Sequence, residues 1–571
     1  MRPSHEADPI AAIVRLPVAS KLRTPVASNV RPPVAFAVRS PVASPVPTTV
    51  RRTIVPDSIA SDAPKVLPYE LSRYEQAGYG TWSYGPGLAH ERRLDLMPAG
   101  YDDASVIGVA KLLRFFAITD IHIAVVQSPA QAIMFGYKGF LSSAYSGVML
   151  YTQHVLDAAL RTVNALHREE PIDFGISLGD TCNNTQYNEL RWYVDVLDGR
   201  HVDPDSGVKA DVATGPRGDY LDEYDATGLD RSIPWYQARG NHDHFWTGFL
   251  AVNDYLRQAY VGDEILNLGN VFEDPLGPDS RGFYMGCLDG RTPYGDIFGI
   301  GPAAAFPTPP KVPAADPDRF SLSKSEWMNE FFTTSSSPKG HGFDRDDVAA
   351  GLACYTFELK AGVPVRVIVL DDTQGDDEPY DNGYGHGCLD QERHDWLVSE
   401  LDRGQAEGKL MIIAAHIPIG VEAAGSPMSW GSAACVSENE LIAKLHTYPN
   451  LILWIAGHRH RNAVTALKSP DAGRPELGFW EVETASLRDF PQQFRTFEIV
   501  RRSDDTVAIF TTDVDPAVED GSRAATSRTY AVAAQQIFDN PVGLPPTGSY
   551  NAELIVALTA DMQAKLKRPQ A

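Results

Sequence analysis

Five short apolar runs in this chain stop abruptly at side chains of the kind that bind metals. They are Leu112–Thr119 before Asp120-Ile121-His122, Ile172–Leu178 before Gly179-Asp180, Ile233–Ala238 before the turn Gly240-Asn241-His242-Asp243, Leu410–Ala415 before His416, and Leu451–Ala456 before Gly457-His458-Arg459-His460. A short run rich in Ile, Leu and Phe reads as a buried strand, and α/β sheets collect their ligands outside the carboxyl ends of their strands. Five strands therefore aim at one place. What they carry there is the carboxylates of Asp120 and Asp180, the amide of Asn241 and five imidazoles, more than a single metal ion can use. Two ions close together can use them.

In this order the blocks resemble those of the calcineurin-like metallophosphoesterase superfamily: D-x-H, G-D, G-N-H-[DE], a lone His and G-H-x-H. The resemblance runs from Asp120 to His460 and leaves both ends of the chain outside it. It implies a four-layer α/β/β/α sandwich of two mixed β-sheets flanked by helices, with long loop insertions. It also implies ligands residue by residue. One ion falls to Asp120, His122, Asp180 and His460, and the other to Asp180, Asn241, His416 and His458, with Asp180 shared. Only a carboxylate among these groups has two anionic oxygens with which to bridge cations about 3.5–4 Å apart. Oxygen and nitrogen ligands without thiolate favour Mn, Fe, Zn or Co over Mg or Ca.

Two adjacent cations lower the pKa of a shared water, whose hydroxide attacks phosphorus in line while the ions hold the phosphoryl oxygens. Such chemistry requires no protein nucleophile. His242, beside Asn241 but assigned to neither ion, resembles the family's general acid, which protonates the leaving oxygen. Family members often place an acid three residues after the aspartate of G-D to orient that ring, whereas here Asp180 is followed by Thr181-Cys182-Asn183-Asn184. The arginine that follows this block in phosphoprotein phosphatases, and grips a phosphate dianion, is also missing. The expected activity is therefore metal-dependent hydrolysis of a small phosphoester, diesters ahead of monoesters, the latter to be bound by other residues such as Arg461. A metal-binding scaffold without turnover and a dinuclear hydrolase of another bond are the alternatives.

A net charge of −24 over 571 residues disfavours nucleic acid, which needs Lys/Arg surfaces. With 43% hydrophobic residues the chain can bury a large core. Cysteines at 182, 287, 354, 388 and 435 show no C-x-x-C spacing, so neither a zinc knuckle nor a disulfide framework is indicated, and one bridge is left open. No apolar run reaches the length of about 20 residues that spans a bilayer, and the N-terminus lacks a signal-peptide core. A cytoplasmic protein is the expectation.

Between residues 14 and 45 the motif around Val14-Arg15-Leu16-Pro17 recurs every eight residues, with prolines at 17, 25, 33 and 41. Such a stretch forbids a continuous helix and has little to pack. Residues 1–60 are read as a disordered basic tail, 61–110 as an irregular wrapping segment, 111–515 as the main domain, and 516–571 as a peripheral segment with a terminal helix near Ala552–Lys567. The domain carries insertions at about 185–232 and 250–350, expected to wall the site. Val148, Tyr151, Val155, Ala159, Val163 and Leu166 recur at threes and fours, the core stripe of a helix. Past His460, strands over Gly478–Ala485, Phe494–Arg501 and Thr506–Thr512 are expected to build the second sheet. Asp371 and Asp372 are read as strand-end caps, and His341 and His386, each between glycines, as weak ligand candidates.

Overall fold

Alternation within the buried strands dictates the layers. In a computed structural model, which describes residues 48–567 apart from 139–144, 208–219, 272–281, 289–293, 361, 376–383, 423–429, 431–434 and 539–546, strands fall into two large mixed sheets. In chain order these strands are β1 (Glu91–Arg93), β2 (Gly108–Ile118), β3 (Phe174–Ser177), β4 (Trp235–Gln237), β5 (Tyr355–Phe357), β6 (Val365–Val369), β7 (Leu410–Ala414), β8 (Leu451–Ala456), β9 (Ala463–Leu467), β10 (Phe479–Glu483), β11 (Phe494–Arg502), β12 (Val507–Val514) and β13 (Ala552–Val556). The seven-stranded sheet has the order β1-β13-β12-β11-β2-β3-β4, and the six-stranded sheet the order β5-β6-β7-β8-β10-β9. Val365, Val367 and Val369 of β6, with Leu410, Ile412 and Ala414 of β7, pack into one core with Phe115, Phe174 and Phe497 of the other sheet. Their alternates Ile368, Met411 and Ile413 face helices α3 (Gln391–Ala406) and α4 (Glu438–Leu445) through Leu397, Leu401, Leu441 and Leu445. A strand residue and its neighbour point to opposite faces, so strands buried on both sides are largely apolar, Arg366 in β6 and Glu481 and Glu483 in β10 being buried exceptions.

The outer face of the seven-stranded sheet is covered by the helix over Thr152–Glu169, whose Val155, Ala159, Val163 and Leu166 are buried as the stripe required. This is the α/β/β/α sandwich expected. Parallel pairing runs through β2-β3-β4 in one sheet and β6-β7-β8-β10 in the other, so those strands deliver their carboxyl ends to one edge. The two sheets are stitched together there. Leu487 N donates to Thr119 O at 3.3 Å, Ser486 Oγ to Asp120 O at 2.8 Å, and His416 Nδ1 to Leu178 O at 2.8 Å.

Several expectations need correction. The strands past His460 do not form one sheet. β10 joins the six-stranded sheet beside β8, whereas β11 and β12 lie antiparallel in the seven-stranded sheet, β11 against β2. The terminal helix near Ala552–Lys567 is instead strand β13 followed by a helix at Ala560–Leu566, and β13 adds to β12 with Leu554 and Ile555 buried. Residues 1–47 of the expected tail lie outside the described residues, but Arg52–Pro56 is a strand paired with Trp82–Pro86. Both insertions carry structure of their own. The first opens with a helix at Tyr187–Asp198, and the second holds a hairpin of Phe283–Leu288 with Ile297–Pro302 and sends Trp327 and Phe331 into the core.

Among the described residues one disulfide, Cys388–Cys435, ties the segment after β6 to the approach of α4, while Cys182, Cys287 and Cys354 are buried outside it. Among the described residues no helix is long and apolar enough to cross a membrane.

Candidate metal centre

Each of the five turns that leave the strand ends is built to bring side chains inward. Asp120, His122, Asp180, His458 and His460 all have positive φ, between 48° and 69°, a region that residues other than glycine seldom occupy. Strained backbone concentrated in one place is found where the surroundings over-determine it. Here close approach does so. A Cβ on Gly240 would lie 2.1 Å from Asp180 Oδ1, and one on Gly457 would lie 2.0 Å from Thr119 Oγ1, so the turns can touch only through glycine. Asp243 completes the fastening. Its carboxylate accepts the backbone N–H groups of Asp180, Thr181, Cys182 and Gly240 at 2.8–3.0 Å and the Thr181 hydroxyl at 2.6 Å.

The seven expected ligands converge. His122 Nε2 stands 3.1 Å from His460 Nε2, 3.8 Å from Asp120 Oδ1 and 3.7 Å from Asp180 Oδ2, and His460 Nε2 is 3.3 Å from Asp120 Oδ1. A second group centres on His416 Nε2, which lies 2.9 Å from Asn241 Oδ1, 3.3 Å from Asp180 Oδ2 and 3.3 Å from His458 Nδ1. His458 Nδ1 is 3.2 Å from Asn241 Oδ1. Donor atoms that share a transition metal at 2.0–2.2 Å stand roughly 3–3.5 Å apart; the His416 group keeps close to that spacing, at 2.9–3.3 Å, and the His122 group is looser, at 3.1–3.8 Å. Asp180 Oδ2 belongs to both. Its Oδ1 accepts the His242 backbone N–H at 2.8 Å, so the carboxylate is shared through one oxygen rather than two.

The remaining polar atoms of these ligands fix which atom points inward. Asn241 Nδ2 donates to Gly248 O at 2.9 Å, turning its carbonyl oxygen toward the cluster. Nδ1 of His416 and of His460 are occupied by Leu178 O and, at 2.5 Å, by Asp489 Oδ2, leaving both Nε2 atoms for a metal. Asp120 Oδ1 is buried without a hydrogen-bond partner.

Electrostatics call for cations in the same place. Burial opposes the charged form of His416, but Asp180 and Asp120 overcome it and push the ring up to about 10. Likewise burial opposes the charge on His460, and Asp120 with Asp489 lifts it to about 10. Burial and then neighbouring imidazoles drive His122 and His458 down to about 3. Two rings are thus held neutral and two are recruited as counter-charges to the carboxylates. The donor set, its spacing and its charge deficit all fit a pair of metal ions.

His242 lies at the mouth, its ring 4.4 Å from that of His122 and edge-on to it. Asn183 and Asn184, which stand where an orienting acid was looked for, do not reach this ring with their side chains. Both carboxamides donate to Gln131 Oε1 at 2.8 Å. The partner of His242 Nδ1 is instead the backbone carbonyl of Asn183, at 2.8 Å. A carbonyl only accepts, so Nδ1 carries the proton and Nε2 is the nitrogen left for chemistry.

Asp371 pairs with Arg239 and accepts the hydroxyl of Thr373 at 2.7 Å, and Asp372 accepts the N–H groups of His416 and Ile417 at 3.1–3.2 Å. Both close strand ends as expected, and Asp372 thereby sets the turn that carries His416. His341 is not brought to the cluster. It stacks on Trp235 at 3.5 Å and bonds Trp235 O and Thr334 Oγ1. His386 is buried beside Gln374, whose Oε1 accepts its backbone N–H. The sequence reading missed Asp489, Arg488, Asp243 and Arg459. Arg459 lies between two ligands and forks onto Glu483, with Nε 2.6 Å from Oε2, while also meeting Glu422.

The chain belongs to the calcineurin-like phosphoesterase family, whose model matches residues 113–462, and is therefore a phosphoesterase by family. Among solved structures it is similar to a dimetal phosphatase from Danio rerio, with 11% identity and a TM-score of 0.36 over 72% of this chain and all of that one. It is also similar to a protein from Staphylococcus aureus assigned as a 5'-nucleotidase, with 11% identity and a TM-score of 0.30 over 75% of this chain and 58% of that one. No curated protein matches the chain by sequence.

Proposed function

We propose that the chain hydrolyses phosphoesters, diesters in preference to monoesters, with two transition-metal ions held by the groups just described. Asp120, His122, Asp180 and His460 would hold one ion, and Asp180, Asn241, His416 and His458 the other. The observation that carries this reading is the double convergence of ligand atoms on the shared Asp180 Oδ2. When bound, such a pair supplies Lewis acidity toward phosphoryl oxygens and an activated water.

The chain's own part is positional. Asp243 and Asp372 hold the turns in place through their backbone N–H groups, Asp489 orients His460, and His242 presents Nε2 with a proton for the departing oxygen. The diester preference rests on where the guanidinium groups go. Arg459 is spent on Glu483 and Glu422, and Arg488 is fully buried against Asn183, so neither stands open to the second charge of a monoester.

Bis(p-nitrophenyl) phosphate and p-nitrophenyl phosphate, compared on metal-loaded protein, test the preference. A higher kcat/KM for the monoester would reject it. Elemental analysis should find close to two ions per chain, and removing them with a chelator should abolish turnover, since the nucleophile of this reading is a metal-activated water. One ion at saturation with full activity would sink the dinuclear reading, and two ions with no hydrolysis of any aryl phosphate would favour the scaffold.

Asp489→Asn should weaken binding at the His460 ion about 10–100-fold, the usual effect of losing a carboxylate behind a ligating imidazole. Calorimetric metal titration reads this as loss of affinity in one of two binding events. Equal weakening of both events would count against the partition.

A further inference from the structure

Arg488 is an expensive residue where it stands. Its side chain is among the largest fully buried ones in the molecule, and its Nε and Nη2 meet no hydrogen-bond partner. Burial lowers its pKa to about 10, against the opposing charges of Asp489 and Glu189. A buried guanidinium with empty donors costs free energy that an apolar side chain of similar volume would not, so packing does not account for it. Its one side-chain hydrogen bond runs from Nη1 to Asn183 Oδ1.

Asn183 is a junction. Its backbone N–H donates to Ile123 O at 3.0 Å, its Nδ2 to Gln131 Oε1 at 2.8 Å, its Oδ1 accepts from Arg488, and its carbonyl accepts from His242 Nδ1 at 2.8 Å. Every polar group of the residue is engaged, and one of the four engagements sets the His242 ring. Arg488 is itself fixed, because its backbone N–H donates to Ser486 Oγ at 2.8 Å, and that hydroxyl donates to Asp120 O at 2.8 Å. A rigid path thus leads from the turn of Asp120 through Ser486, Arg488 and Asn183 to the imidazole.

We propose that Arg488 is the positioning residue of His242, holding Asn183 so that its carbonyl aims the imidazole at the leaving oxygen. This rests on the reading of His242 as proton donor. The rigid, planar guanidinium holds Nη1 against the carboxamide oxygen in one geometry, which the flexible ammonium of lysine does not reproduce, so Arg488→Lys should restore only part of the function lost in Arg488→Met.

The test is a double-mutant cycle on metal-loaded protein, read as kcat/KM for an alkyl and a nitrophenyl phosphodiester. Arg488→Met should slow the alkyl ester roughly 10–100-fold more than the nitrophenyl ester, the scale of misplacing a reacting group. In a His242→Ala background the same change should add nothing to that gap. Equal slowing of both esters by Arg488→Met, or a further gap that Arg488→Met adds in the His242→Ala background, overturns the proposal while His242 keeps its role. A His242→Ala variant with no gap of its own removes the reading of His242 and this proposal with it. Should Arg488→Met fold poorly, the Arg488→Lys protein decides through the ring of His242. Its Nδ1–H signal, assigned in a 1H–15N spectrum by loss in His242→Ala, should shift from its wild-type position, and an unshifted signal overturns the proposal.

Discussion

Asp180→Asn will cost more activity than any other single change among the ligands, on the order of 10³-fold or beyond, the equivalent of the several kcal/mol that metal polarisation contributes. The reason lies in how the carboxylate is divided. Oδ1 accepts the His242 backbone N–H, and Oδ2 faces His122 Nε2 at 3.7 Å and His416 Nε2 at 3.3 Å. An amide cannot satisfy both demands. If its oxygen keeps the His242 N–H, its NH2 points donors at the place where two cations sit. If it flips, the NH2 meets the His242 N–H instead, and an unmet buried donor costs about 1–3 kcal/mol. Either way both ions lose an anionic ligand at once. His122→Ala removes one ligand from one group and leaves the other intact, so excess metal should restore much of its activity. Parallel titrations of the two variants with Mn, Fe, Zn or Co decide the matter, and equal rescue would show that Asp180 is not shared.

Where the sequence was legible, the signal was local and the physics short-ranged. A run such as Leu451–Ala456 that ends at Gly457-His458 announces a buried strand and a close-approach turn within a few residues, and the seven ligand positions came from such runs. Sheet membership was not legible. Phe494–Arg502 looks like Phe479–Glu483 in composition, yet one pairs with β2 and the other with β8, a choice made by long-range pairing that no window of the sequence contains. Nor does the local sequence of Ala552–Val556 separate it from the helix that follows at Ala560–Leu566. What makes it a strand is the free edge of β12, some forty residues away.

The supports of the site were hidden for a related reason. Asp489 meets His460 across 29 positions and Arg488 meets Asn183 across 305, so neither belongs to a motif. For His242 even the correct residue was the wrong atom. Position 183 was singled out for its side chain, whereas the ring is held by its carbonyl, a group that every residue has and that no sequence reading can distinguish.

That carbonyl sharpens what His242→Ala should do. A carboxylate partner would stabilise imidazolium strongly, whereas a neutral carbonyl holds the ring in place and contributes little toward keeping a second proton on it. Burial lowers the pKa of His242, and Asp180 opposes that fall. The acid form is therefore lost as pH rises through a value below the ordinary one for histidine, so activity on substrates that need protonation should already be falling as pH climbs toward neutrality. Nitrophenolate leaves without help, but an alkoxide does not. His242→Ala should therefore slow alkyl phosphodiesters about 10²–10⁴-fold more than nitrophenyl ones, the usual contribution of general acid catalysis, and metal content should stay unchanged if, as proposed, neither ion uses the His242 nitrogen that lies close to His122 and Asp180. The alkaline limb should appear in the wild-type profile for alkyl esters and be absent from the variant. Equal slowing of the two ester classes would make His242 a contact for phosphate or a support of Asn241 instead, and a limb that survives His242→Ala would assign the titration to another group.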